Sequence, residues 1–169
     1  MSAVLQAVES TGTNPKEGLL AQYMDTLSYI ERLHRLLLDV IKDEFERLNV
    51  IDVTSVQALL LFNIGDNEVT AGELKSRGYY QGSNVSYNLK KLVEGGYISH
   101  ERCSIDRRAV RIKLTESGMK VREIVNELWI RHVETFLDSS TMLHDELGQM
   151  EDSMRKLERF WTDNIRYIY

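Results

Sequence analysis

One short stretch of the sequence combines hydroxyl, amide and ammonium groups at helical spacing. Because a helix advances about 100° per residue, one face and its flanks carry Ser83, Asn84, Tyr87, Asn88, Lys90 and Lys91. No acid precedes Glu94 in this stretch, whereas a solvent-facing helix usually mixes both signs of charge. Hydroxyls and amides can bond to base edges, and cations bind phosphates. The stretch therefore predicts a helix that contacts nucleic acid.

Two arginines lie in a short connection between predicted strands. Val110 to Leu114 alternates apolar and cationic residues, which is the pattern of a half-buried strand, and Tyr97 to Cys103 is its predicted partner. The connection places Arg107 and Arg108 at or near the tip of the hairpin. A basic tip of this kind can contact the DNA backbone or minor groove beside the helix.

Charge is distributed unevenly along the chain. The net charge of −5 over 169 residues argues, taken as a whole, against a nucleic-acid partner. Between Ala71 and Lys120, however, ten basic residues stand against five acidic ones, while the rest of the chain holds eleven basic and twenty-one acidic residues. A basic centre between acidic arms predicts a surface that faces a polyanion. On charge alone, a solvated face without a partner is an equally good interpretation.

Three short helices are predicted to position these groups. Thr54 and Thr70 are each followed three residues later by Gln or Glu, the form of a capping box, and they open helices that Gly65 and Gly78 end. The third helix runs from about Gly82 to Glu94. Its apolar stripe consists of Val85, Leu89, Leu92 and Val93. Three short helices followed by a basic hairpin describe a winged helix-turn-helix.

Long amphipathic helices are predicted on both sides of this lobe. Apolar residues recur at steps of three and four from Leu20 to Leu48, a length well above the usual ~11 to 12 residues, so this helix needs a partner. A second long helix follows Thr115, and a third follows the break at Ser139-Ser140-Thr141. Residues 1–18 lack a sustained apolar period and are expected to form a disordered N-terminus.

The sequence offers no pattern for catalysis, a metal site or a membrane span. Cys103 is the single cysteine, and the four histidines include no pair spaced for a metal on one helix, so no metal and no cofactor are expected. His100 and Cys103 would point to opposite faces of a strand, which argues against a catalytic pair. Without a signal-peptide pattern or a run of about 18 apolar residues, we expect a cytoplasmic protein that is not an enzyme.

Several motifs of the middle third occur together. They are Thr70-Ala71-Gly72-Glu73-Leu74, Asn84-Val85-Ser86, Lys91 to Ile98, Asp106-Arg107-Arg108-Ala109-Val110, Leu114-Thr115 and Gly118. Together they resemble the MarR family of bacterial transcription regulators, with the wing signature Asp-x-Arg-Ala as the most specific mark. The resemblance implies a mainly α fold with a small β wing. It divides a single domain, residues 19–169, into a winged helix-turn-helix DNA-binding lobe at 53–115 and dimerisation helices at 19–50 and 116–169.

The resemblance also implies a function. It suggests a homodimeric, sequence-specific DNA-binding transcription regulator that occupies a pseudopalindromic double-stranded operator and that a small aromatic effector can release. The alternative is a helical dimeric interaction scaffold whose winged helix no longer binds DNA. By position, Arg108 corresponds to the wing-tip arginine that enters the minor groove and Asp106 to the acid that braces the wing. The full predicted DNA-binding set is Ser83, Asn84, Ser86, Tyr87, Asn88, Lys90, Lys91, Arg107, Arg108 and Arg111.

Three points of the resemblance concern single residues. Tyr87 stands where many members carry arginine, and a phenol cannot make the bidentate contact to guanine, so the operator preference of relatives does not transfer. Cys103 could act as a redox switch, but its position at the wing favours an ordinary strand residue. The residues that match the effector crevice of relatives are Leu38, Gln57 and Leu61, for which plain core packing is the favoured interpretation.

Overall fold

The structure is a computed structural model that describes residues 15–66, 68–70, 73–74, 82–102, 110–140 and 144–168. The chain divides into two compact units, Met1–Ser55 and Val56–Tyr169. The predicted division of a single domain into a winged lobe at 53–115 and dimerisation helices at 19–50 and 116–169 stays a prediction.

Among residues 15–55, which the structure describes, the first unit contains one long helix. Helix α1 spans Pro15–Arg47, 33 residues, and so begins at Pro15 rather than at residue 19. Residues 15–18, which we expected to belong to a disordered N-terminus, are therefore helical. A proline is favoured in the first turn of a helix, because its missing N–H is not needed there. After Arg47 the chain leaves the helix through Asn49, which takes a left-handed φ of 55°. The N–H of Val50 then donates to the carbonyl of Phe45 at 2.8 Å.

Helix α2, Ser55–Ile64, begins directly after Thr54 as predicted, and all of it except Ser55 lies in the second unit. Gly65 ends it with φ of 71°. The chain then forms a two-residue strand, β1, at Val69–Thr70. The capping box after it is confirmed, since the N–H of Glu73 donates to Thr70 Oγ1 at 3.1 Å and the Thr70 N–H donates to Glu73 Oε2 at 2.6 Å. The predicted end of this helix at Gly78 lies outside the described residues.

Helix α3, Gly82–Glu94, is followed by the predicted hairpin. Strand β2 spans Ile98–Arg102 and strand β3 spans Val110–Leu114, paired antiparallel with His100 opposite Ile112. The sequence did not predict β1, which pairs with the other edge of β3 and completes a three-stranded sheet of order β1-β3-β2. Helix α3 packs against β2, with Leu92, Ile98 and Ile112 buried.

Two long helices complete the second unit. Helix α4 spans Glu116–Ser139 and ends at Ser140 in a left-handed conformation, and helix α5 spans His144–Ile168. Helix α4 contacts β3 and buries Val121, Val125 and Leu128. It is also joined to the turn after α2 by an ion pair of 2.9 Å between Arg122 Nη1 and Asp66 Oδ1.

Apolar side chains remain exposed on each long helix. On α4 they include Ile130, Val133 and Leu137; on α5 they include Met150, Met154 and Phe160; on α1 they include Leu20, Met24 and Leu33. Among the described residues, no helix has the length and apolar character needed to cross a bilayer.

Candidate nucleic-acid interface

Helix α3 has one apolar face and one polar face, as the sequence predicts. Leu92 is buried on one side, whereas Lys91 is exposed away from it, and Ser86 and Lys90 are exposed at the edge that borders the sheet. Tyr87 is 61% exposed, which is high for an aromatic residue. Asn88 is half-buried at the flank of this face. Ser83 and Asn84 lie in the first turn of α3 by their backbone positions, and their side chains are outside the described residues.

Glu94 binds both lysines of this helix. Its Oε2 lies 3.0 Å from Lys91 Nζ, and its Oε1 lies 3.8 Å from Lys90 Nζ. The hydrogen bond from Lys91, reinforced by its charge, lowers the pKa of Glu94, and the same contact raises the pKa of Lys91. The sequence prediction of a polar face without acids before Glu94 missed that this acid reaches back to both cations. The spacing of three and four residues was the available signal.

Arg111 on β3 also has an acidic partner. Its Nη1 lies 3.0 Å from Oε2 of Glu68, the residue before β1. Because β1 pairs with β3 and places Thr70 opposite Arg111, Glu68 lies beside the predicted DNA-binding arginine. This pair was not predicted, because the two residues are distant in the chain and β1 is too short to give a strand pattern. Asp106, Arg107 and Arg108 lie outside the described residues, as does Cys103.

An apolar groove of about 460 Å³ lies between α3 and the sheet. Its apolar lining consists of Leu89, Val93, Ile98 and Ile112, with Ser86, Lys90, Glu94 and His100 as its polar lining. The proposed effector residues are placed elsewhere. Gln57 and Leu61 are buried on α2, and Leu38 is half-buried on α1 in the other unit.

The chain has relatives among known transcription regulators. The family described as "Winged helix DNA-binding domain" matches residues 53–118. The exopolysaccharide II synthesis transcriptional activator ExpG of Rhizobium meliloti (strain 1021) is 32% identical over 148 residues, which cover 88% of this chain and 76% of the relative. The chain belongs to the MarR family of winged helix transcription regulators.

Solved structures of MarR-type regulators share its fold. The transcriptional regulator SlyA matches with a TM-score of 0.68 at 20% identity, over 86% of this chain and 99% of that one. A mutant of MarR from E. coli, complexed with operator DNA, matches with a TM-score of 0.64 at 20% identity, over 82% and 97% of the two chains. The predicted fold class, mainly α with a β wing and a winged helix lobe, is confirmed. The relatives named here are transcription regulators and not enzymes.

Proposed function

We propose that this MarR-family protein is a cytoplasmic homodimer that binds a pseudopalindromic DNA operator and regulates transcription from it. The exposed polar face of α3 is the observation that carries the proposal. Tyr87 and Ser86 on that face can reach base edges, while Lys90 and Lys91 are placed for phosphates. The operator-bound structure of E. coli MarR supports the same use of the shared fold.

The remaining predicted contacts divide between bases and backbone. Within α3 we assign Ser83, Asn84 and Asn88 to base edges, together with Ser86 and Tyr87. In the wing we assign Arg107, Arg108 and Arg111 to phosphates and the minor groove, with Asp106 as the brace of the wing. Phosphate contacts set orientation and affinity, while base contacts set the preferred sequence.

The exposed apolar stripes support the homodimer. Leu137 on α4 is 74% exposed, and Ile130 and Val133 extend the same stripe. Exposed apolar faces of this length mark a protein interface. A second copy of the chain carries the same apolar faces on its own long helices and can cover them. Two copies of α3 related by a two-fold axis would meet successive turns of the major groove, about 34 Å apart.

Release by a small aromatic effector is the regulatory part of the proposal. Leu38, Gln57 and Leu61 are its proposed contacts, and core packing is the competing role for the same residues. Titration with phenolic acids while DNA affinity is recorded separates the two. A ligand-dependent loss of affinity that Leu61→Phe abolishes would support an effector site, and unchanged affinity would favour packing.

Selection from a random DNA pool at two salt concentrations tests DNA binding. We expect enrichment of one motif with two-fold symmetry, and a recovery of unselected fragments that falls steeply as salt rises, because phosphate neutralisation releases counterions. Absence of any enriched motif would contradict sequence-specific binding and favour the interaction scaffold.

A further inference from the structure

Carboxylates hold the cations of the proposed interface whose side chains the structure describes. These cations are Lys90, Lys91 and Arg111. Lys90 and Lys91 share Glu94 at 3.8 and 3.0 Å, and Arg111 lies 3.0 Å from Glu68. Glu94 and Glu68 therefore form ion pairs with cations that the proposed function assigns to DNA phosphates.

Glu94 is poorly placed to stabilise helix α3. It is the last residue of the helix, where the partial negative charge of the helix end disfavours an acid. Its lysine partners precede it in the chain, which is the weaker order for ion pairs spaced by four residues. All three side chains are about half exposed or more, and pairs at that exposure contribute little to folding. We therefore interpret Glu94 as a residue that reduces the positive charge of this helix face rather than as one that stabilises the helix.

We propose that Glu94, assisted by Glu68, is a specificity-determining residue that competes with DNA phosphates for the interface cations. The inference rests on the proposed function. On binding, a phosphate oxygen replaces the carboxylate oxygen at Lys91 Nζ, and Glu94 is left close to a polyanion. This cost falls on every DNA sequence. The loss of affinity should be largest for non-specific complexes, because phosphate contacts supply essentially all of their affinity. In such complexes the protein can also shift along the DNA to maximise those contacts.

The variant Glu94→Gln tests the inference, since it removes the charge and keeps the shape of the side chain. Affinity for random-sequence DNA should rise about threefold to tenfold at low salt, as expected for release of two exposed ion pairs. The plot of log affinity against log salt should become steeper by up to ~0.9 for each additional phosphate that the protein neutralises. Affinity for the selected operator should rise less. An equal increase on both DNAs, or no increase on either, would overturn the inference.

Matched variants separate this effect from net charge. Glu151→Gln makes the same charge change at an exposed acid on α5 that pairs with Arg155, and it should leave both affinities unchanged. Glu68→Gln should act in the same direction as Glu94→Gln by removing the carboxylate charge beside Arg111. Adding Lys91→Gln to Glu94→Gln should remove most of the increase in affinity. An increase from Glu151→Gln as large as that from Glu94→Gln would show a general charge effect and overturn the inference.

The outcomes also distinguish the inference from the proposed function. If the unaltered protein binds no DNA, both fail. If it selects a motif and Glu94→Gln binds all DNA as the unaltered protein does, only the inference fails. Thermal unfolding of each variant, at equal protein concentration, confirms that affinities are compared between folded proteins.

Discussion

Thr115 Oγ1 donates a hydrogen bond of 2.6 Å to the carbonyl oxygen of Gly96. The Thr115 hydroxyl oxygen also accepts a 3.2 Å bond from the N–H of Gly118 and so caps helix α4. The Thr115 N–H donates to the carbonyl of Tyr97 at 3.0 Å. One residue therefore starts α4 and fixes the turn that follows α3.

Replacement of Thr115 by valine should destabilise the protein by about 1 kcal/mol, within the range of about 0.5–2 kcal/mol observed for lost N-caps. Valine keeps the branched shape but removes both hydroxyl bonds, while Thr115→Ser retains the hydroxyl. Chemical denaturation at a fixed protein concentration gives the comparison. Equal stabilities for the valine and serine variants would show that the hydroxyl contributes nothing.

Gly118→Ala should destabilise the protein by about 1–3 kcal/mol, the usual cost of overpacking. A Cβ at Gly118 would overlap the carbonyl oxygen of Tyr97, which is backbone and cannot move aside. Gly148 is the control, because a Cβ there meets no atom within 4 Å. Gly148→Ala should stabilise helix α5 by about 0.5–1 kcal/mol. A neutral effect of Gly118→Ala would mean that the start of α4 does not pack closely on Tyr97.

Tyr87→Phe should relax sequence preference more than it weakens non-specific binding. The phenol is exposed on α3, and a hydroxyl bond to a base edge would be lost with the substitution. A good bidentate base contact discriminates by about 1–3 kcal/mol, so a single hydroxyl bond should contribute at the lower end of that range. Binding titrations on the selected operator and on random DNA provide the test. Equal losses on both would place Tyr87 at the backbone.

Leu137→Asp should shift the proposed homodimer toward monomer. The substitution puts a charge into the exposed apolar stripe of α4, where burial without a partner is costly. Thr135→Asp makes a comparable change on the opposite side of the same helix, and it should leave the dimer intact. Sedimentation velocity at micromolar concentration reports the outcome. Dissociation by both variants, or by neither, would argue against this stripe as the interface.

The stabilising contribution of Glu116 should disappear in acid. Lys120 Nζ lies 2.7 Å from Glu116 Oε1, and this hydrogen bond, with the lysine charge, lowers the pKa of Glu116 in the folded state. A lowered folded pKa gives stability that is present above the unfolded value of about 4.3 and is lost as pH falls through the folded pKa. Glu116→Gln should therefore be less stable than the natural chain at pH 7, and the difference should shrink as pH falls through the lowered folded pKa. A difference that does not vary with pH would refute the assignment.

Most elements of the fold were predictable from local pattern. The stripe of α3, the glycine that ends α2 and the capping box at Thr70 all depend on residues within a few positions of one another. The start of α1 at Pro15 and the strand β1 were missed. In both cases the segment has too few residues to show a hydrophobic period. The preference of proline for the first turn of a helix was the signal for the start of α1, and only the pairing with β3 reveals β1.

The candidate site shows the same division. The amino-acid sequence alone determined that α3 presents Tyr87 and Lys91 opposite its apolar stripe, with Lys90 at the flank, because helical periodicity assigns side chains to faces. It also carried the motifs by which the family is recognised. Only the tertiary structure decided that Glu68 binds Arg111, since strand pairing joins residues that are far apart in the chain. It likewise decided that one carboxylate of Glu94 serves two lysines, because spacing permits such contacts but the packed rotamers select them.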